Sequence, residues 1–202
     1  MRARSFRPRL LLPLAAALAL AGCFGGGKVP ATLLTLAPAA PPPADLVARS
    51  ANSGETVTID VPVTPKSLKS LRVPAQTGDT AIAYIKDAAW VDLPERLFQQ
   101  LLSETLKRTT TRVVLDPHQS SLDPGVKVTG LLDRFGYDVG AQSVVVRYDA
   151  ALSTTGGNRV ETRRFEAKEP SDGTKDSVGP ALNRAANKVA ADVAAWIGSH
   201  GG

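Results

Sequence analysis

The chain has 202 residues, 43% of them hydrophobic and 21% charged, a globular composition that excludes wholesale disorder. Its net charge of +5 is concentrated at one end: Arg2, Arg4, Arg7 and Arg9 lie in the first nine residues, and residues 1–22 hold no acid. Without those four, the 24 Lys and Arg fall to 20 against 19 Asp and Glu, so no nucleic-acid partner is expected.

Residues 1–9, MRARSFRPR, form a cationic lead, and residues 10–20, LLLPLAAALAL, an apolar run. That run is well short of the roughly 20 residues a membrane-spanning helix needs. It ends in Leu20-Ala21-Gly22-Cys23, which resembles the lipobox of bacterial lipoproteins. The resemblance implies a signal peptide over 1–22, cleavage between Gly22 and Cys23, and covalent lipid on the Cys23 sulfur. Cys23 is the only cysteine, so no intramolecular disulfide can form and the fold must rest on its core. Two or more acyl chains make a stable membrane anchor where one does not. Phe24 follows the cysteine, where an Asp would signal inner-membrane retention, so the periplasmic side of the outer membrane is the expected location. Residues 24–31, FGGGKVPA, read as a flexible tether behind the lipidated residue 23, with a reach of roughly 28 Å at full stretch.

A single domain is expected over residues 32–202. Residues 32–36 are a short strand candidate, followed by a Pro/Ala segment that includes Pro41-Pro42-Pro43. Residues 55–63 alternate as a half-buried strand, 71–74 suggest a short extended piece, and Gly78-Asp79 a turn into a strand over 81–85. Residues 92–108 predict a helix: Asp92 and Glu95 have capping-box spacing, Pro94 suits the first turn, and Leu97, Phe98, Leu101, Leu102 and Leu106 form one apolar stripe. A short buried strand over 112–115 comes next, then three longer strands over 126–137, 143–153 and 159–167 joined by hairpin-length turns. Their alternation slips at 130–133 and again at Arg163-Arg164, which predicts a bulge or a change of buried face at each. The last helix spans 177–200, with Val178, Leu182, Ala185, Val189, Val193 and Trp196 as its core stripe. Together these elements predict an α+β, two-layer sandwich: a mainly antiparallel sheet with two principal helices on one face.

Chemistry is hard to find. His118 and His200 lie in polar surroundings without further ligands at metal spacing, so no metal site is expected. No nucleophile elbow, phosphate loop or dinucleotide fingerprint is present. The carboxylate pairs Asp87/Asp92 and Glu166/Glu169 read as solvated surface, and Arg159, Arg163 and Arg164 as a basic strip at a hairpin edge or, equally, as charged protection of a sheet edge against aggregation. No catalytic residue and no cofactor beyond the lipid on Cys23 are expected.

The stretch Thr77-Gly-Asp-Thr-Ala-Ile-Ala-Tyr84, then Trp90, then Leu93-Pro94-Glu95-Arg96-Leu97, resembles the ABC-type transport auxiliary lipoproteins, among them the Pqi-type companions of MCE transporters. The resemblance continues through Arg163-Arg164-Phe165-Glu166-Ala167 into Asn183 and the Ala-rich terminal helix, and covers most of residues 32–197. Thr32-Leu33-Leu34-Thr35-Leu36 departs from the tyrosines that relatives carry there. What the resemblance implies is a non-catalytic part of a lipid-transport machine, docked on a periplasm-spanning MCE-domain protein, with a ring of identical subunits as one arrangement. It carries over no ligand-binding residue. Tyr84 and Trp90 read as core aromatics in preference to interface anchors. The competing reading is an envelope-assembly or peptidoglycan-synthase-activating lipoprotein on a similar small domain, because fold does not fix function.

Overall fold

The computed structural model describes residues 32–42, 48–123, 125–154 and 159–199. The signal segment, Gly22, Cys23, the tether and His200 lie outside the described residues, as does most of the turn at 154–158.

The fold is α+β: a mixed sheet of seven strands with two helices on one face. The strands are β1 (Val57–Ile59), β2 (Arg72–Gly78), β3 (Ala81–Ala89), β4 (Val114–Leu115), β5 (Val126–Asp138), β6 (Ser143–Ser153) and β7 (Val160–Pro170). The helices are α1 (Pro94–Thr109) and α2 (Lys175–Gly198). An antiparallel meander, β5–β6–β7, makes the long half of the sheet. On its other side β5 forks. Its first residues pair in parallel with β1, which carries β4 beyond it, and its last two pair in parallel with β2, which carries β3. Between the two arms a single bridge joins Val63 to Leu131.

Core placement follows strand alternation. In β6, Val144, Val146, Tyr148, Ala150 and Leu152 are buried under the helices. Arg147 and Asp149 take the opposite face, in register with Glu166 and Arg164 of β7. Three tilted ring pairs run through the interior: Trp90 with Phe135 and Phe98 with Tyr148, both at 5.2 Å, and Phe165 with Trp196 at 5.6 Å.

Several local expectations change. β1 is three residues long and buried throughout, because it is flanked by β4 and β5 while Gln99 Nε2 of α1 donates to Ile59 O at 3.0 Å. β2 runs on past Pro74, whose missing N–H is harmless because pairing with β5 begins only at Ala75. Gly136 lets this proline approach, since a Cβ there would strike Pro74's carbonyl and ring. β3 reaches Ala89 through a wide bulge: two steps on β2, Arg72 to Pro74, match five on β3, Tyr84 to Ala89, and Asp87 adopts φ 59°.

The capping box predicted before α1 does not form. The cap position falls on Leu93, one residue late, so Asp92 Oδ1 accepts from Leu93 N at 2.7 Å and Glu95 sits too early to reach back. The expected slip in β5 is a bulge at Asp133. The slip expected at Arg163-Arg164 is absent. β7 pairs with β6 without interruption; Arg163 lies over the Phe165 ring beside the C-terminal half of α2, and Arg164 reaches Asp149 across the strands. In α2 the whole predicted stripe is buried, together with Ala181, Ala186, Ala190, Ala194 and Ile197. The buried band is wider than a sheet-facing stripe because α1 packs alongside.

Candidate functional site

Residues 32–40 form a strap across the helices. Leu34 enters it by a parallel bridge to Trp90: Leu34 N donates to Ala89 O at 2.7 Å, and Val91 N donates to Leu34 O at 2.9 Å. Gly179 on α2 makes room for the Leu34 side chain, which a Cβ at that position would strike. The strap then follows α2 toward its C-terminus. Asn183 Oδ1 accepts from Ala37 N at 2.8 Å, and Asn187 Oδ1 accepts from Ala39 N at 2.7 Å. Asn187 Nδ2 also donates to Ala37 O at 2.9 Å. Arg108, at the end of α1, donates to Ala40 O at 2.8 Å. Two asparagines four residues apart share one helix face, so together they read the backbone of one extended segment. The sequence places both on the helix face opposite the apolar stripe, and Asn183 also falls in the family resemblance; their four-residue spacing is the signal for a shared partner.

The predicted aromatics separate. Trp90 is fully buried and belongs to the core. Tyr84 is half-exposed on β3, with the Arg72 guanidinium 4.3 Å over its ring and its hydroxyl donating to Ser67 O at 3.3 Å.

The charged candidates do not converge. His118 is exposed in a single-turn 3-10 helix, Pro117–Gln119, which Asp116 caps by accepting from His118 N. Asp87 stands exposed in the β3 bulge, while Asp92 is engaged by Leu93 N. Glu166 and Glu169 have separate partners. Burial alone raises the Glu166 carboxyl, but hydrogen bonds from Arg147 and Lys168 outweigh it and leave it below the usual carboxylate range. Glu169 turns toward α2, where Arg184 and Lys188 hold it low. Arg159 pairs with Glu161, Arg164 makes a two-pronged contact with Asp149, and Arg163 lies over the Phe165 ring.

Burial pushes the Tyr148 hydroxyl up, and it donates to Thr129 O at 2.9 Å. Among the described residues, every carboxyl with a displaced pKa is displaced downward, the direction of a structural anion and not of a proton donor. No group of three or more His, Cys, Asp or Glu among them could hold a metal ion.

Two open grooves stand out among the described residues. One, of about 480 Å³, lies between β7 and the C-terminal half of α2 over Arg163, Phe165 and Trp196. The other, of about 590 Å³, lies at the fork and is lined by Ser67, Gln76, Asp133, Arg134 and Asp138. Both are open and carry charged side chains, the first beside the Phe165 and Trp196 rings, unlike the enclosed, predominantly apolar pocket of a typical small-molecule site. Among the described residues no helix is long and apolar enough to cross a membrane.

The architecture is shared by solved structures. A crystal structure of a Xanthomonas campestris protein described as DUF330 matches with a TM-score of 0.64 and 17% identity, over 84% of this chain and 93% of that one. A second, of an uncharacterized protein, matches with a TM-score of 0.62 and 16% identity, over 74% of this chain and 96% of that one. A sequence search of the curated proteins gives no significant match. The family model described as the ABC-type transport auxiliary lipoprotein component matches residues 35–194, from the strap to one turn short of the end of α2. The chain belongs to the ABC-type transport auxiliary lipoprotein family.

Proposed function

We propose that this protein is a lipid-anchored, non-catalytic component of an MCE-type ABC system that moves lipids between the inner and outer membranes. In this reading, residues 1–22 are removed, Cys23 carries the lipid, and residues 24–31 tether a single domain over 32–202 to the periplasmic side of the outer membrane. The domain acts by docking onto the MCE protein and performs no chemistry of its own. The observation that carries the reading is the lone cysteine at the end of Leu20-Ala21-Gly22-Cys23, in a chain of the transport-auxiliary family. The scattered, internally paired ionisable groups favour docking over catalysis.

Two measurements test it. Cys23→Ser is expected to move the protein out of the membrane fraction; a variant that still fractionates with membranes would overturn the anchor. Immobilised wild-type protein is expected to retain the MCE-domain protein encoded with it. Failure to retain it, while the ABC permease or ATPase is retained, would replace the MCE protein as the docking partner.

A further inference from the structure

The strap fixes where the tether leaves the domain, and the surface around that exit has a distinct composition. Leu33 is 42% exposed immediately before the Leu34–Trp90 bridge, and Val91, 53% exposed, lies immediately after it. Trp90 N donates to Leu71 O at 2.6 Å, which brings Leu71, 44% exposed, to the same place. Three large apolar side chains therefore surround the exit.

Next to them, residues 61–78 contain no acid and carry Lys66, Lys69 and Arg72, all exposed. None of the three makes an ion pair in the described structure, though Arg72 lies over the Tyr84 ring; Lys86 on β3 and Arg163 on β7 lack one too, whereas Lys127, Arg134, Arg147, Arg159, Arg164 and Lys168 are each paired. Arg72 is in register with Ala89, at the exit end of the β2–β3 arm. The bordering acids are Asp87, next to Lys86 in the bulge, Asp92, which Leu93 N already engages, and Asp133 and Asp138, which share a groove with Pro65 and Ser67 and are paired by Arg147 and Arg134 respectively. Asp79 lies at the hairpin turn, the end of the arm away from Arg72, and borders that same groove.

We infer that this face, Leu33, Leu71 and Val91 with Lys66, Lys69 and Arg72, rests on the surface of an anionic phospholipid bilayer. The inference depends on the proposed lipid at Cys23. The occupant follows from the chain outside the described residues: eight residues separate Cys23 from Thr32, so the exit stays within roughly 28 Å of the headgroups. Held that close, unpaired cations meet the negative surface potential, and the apolar side chains meet the headgroup boundary. The contact fixes the domain's orientation, turning the β7 edge away from the bilayer and toward the periplasm.

The test uses the full lipidated protein with Val91→Cys, whose thiol is the only free one once Cys23 is acylated. A polarity-sensitive fluorophore on that thiol is read in vesicles containing brominated lipid, and a Val160→Cys probe on β7 serves as the control. In phosphatidylcholine–phosphatidylglycerol vesicles the residue-91 probe is expected to be quenched and the residue-160 probe not. Quenching at residue 91 is expected to fall at least about twofold in phosphatidylcholine alone, and equally with Lys66→Gln/Lys69→Gln. An acylated, vesicle-bound protein whose residue-91 probe is quenched no more than the control overturns the docking face. So does quenching indifferent to both lipid charge and the two lysines. An intact mass without acyl groups on Cys23 overturns instead the anchor on which the inference rests.

Discussion

Asp123 shows how much of the fold one carboxylate can organise. It accepts from Gly54 N at 2.6 Å, Thr56 Oγ1 at 2.6 Å and Thr56 N at 3.2 Å, holding the loop before β1 against the loop before β5. The hydrogen bond from Thr56 and that from the Gly54 amide lower its pKa below the usual carboxylate value, against the opposing effect of burial. A folded-state pKa below the unfolded one, about 3.9, makes the stabilisation complete above that value and lost as pH falls through the folded pKa. Asp123→Asn is therefore expected to lower the melting temperature at pH 7, with the gap to wild type closing in acid; a gap independent of pH would deny the carboxylate this role. The two aromatics make a second residue-scale contrast. Trp90→Ala should destabilise by about 3–5 kcal/mol, because Trp90 is fully buried against Phe135. Tyr84→Ala should cost about 1 kcal/mol, because only a half-exposed ring stack and one hydrogen bond are lost. Chemical denaturation of both variants measures the difference.

At the scale of elements, the strap is held mainly by hydrogen bonds at the surface. Replacing Asn183 and Asn187 with alanine should free the Ala37 and Ala39 amides, each hydrogen bond contributing about 1 kcal/mol. Hydrogen exchange at those two amides should speed up by about fivefold or more, with global stability nearly unchanged. Equal loss of protection in β5 and β6 would show instead that the strap is integral to the core. The strap is also where sequence reading reached its limit. Residues 32–36 show an apolar alternation that suggests a strand, and the structure keeps only the bridge at Leu34. The partners of the rest are an asparagine pair about 146 residues away, a separation at which local periodicity is silent. By contrast, α1, α2 and the β5–β6–β7 meander were legible, because each carries its own period and its own turns. The fork was not: β1 and β4 are too short for their alternation to reveal parallel partners. The unpaired lysines at 66 and 69 were visible as residues, but their neighbourhood with Leu33 and Val91 exists only through the bridge to Trp90.

At the scale of the molecule, β5 is the member that both arms and the meander share. Native-state hydrogen exchange is expected to be slowest in β5 and β6, where Val128 and Val146 are fully buried. It should be fastest in β4, a two-residue edge whose side chains are only partly covered. Early exchange of β6 with late exchange of β4 would contradict the fork as the organising feature. The strap carries one more consequence, which is mechanical. A pull on the chain at Thr32 reaches the domain first at Leu34, then at the Asn183 contact, then at Asn187, and last at Arg108, so these attachments bear load one after another. Such a series peels at low force while the sheet behind it stays unstrained, and each released residue adds roughly 3.5 Å of slack. Under the proposed lipid anchor and docking partner, movement of one against the other would be taken up as length in the strap before it becomes distortion of the core.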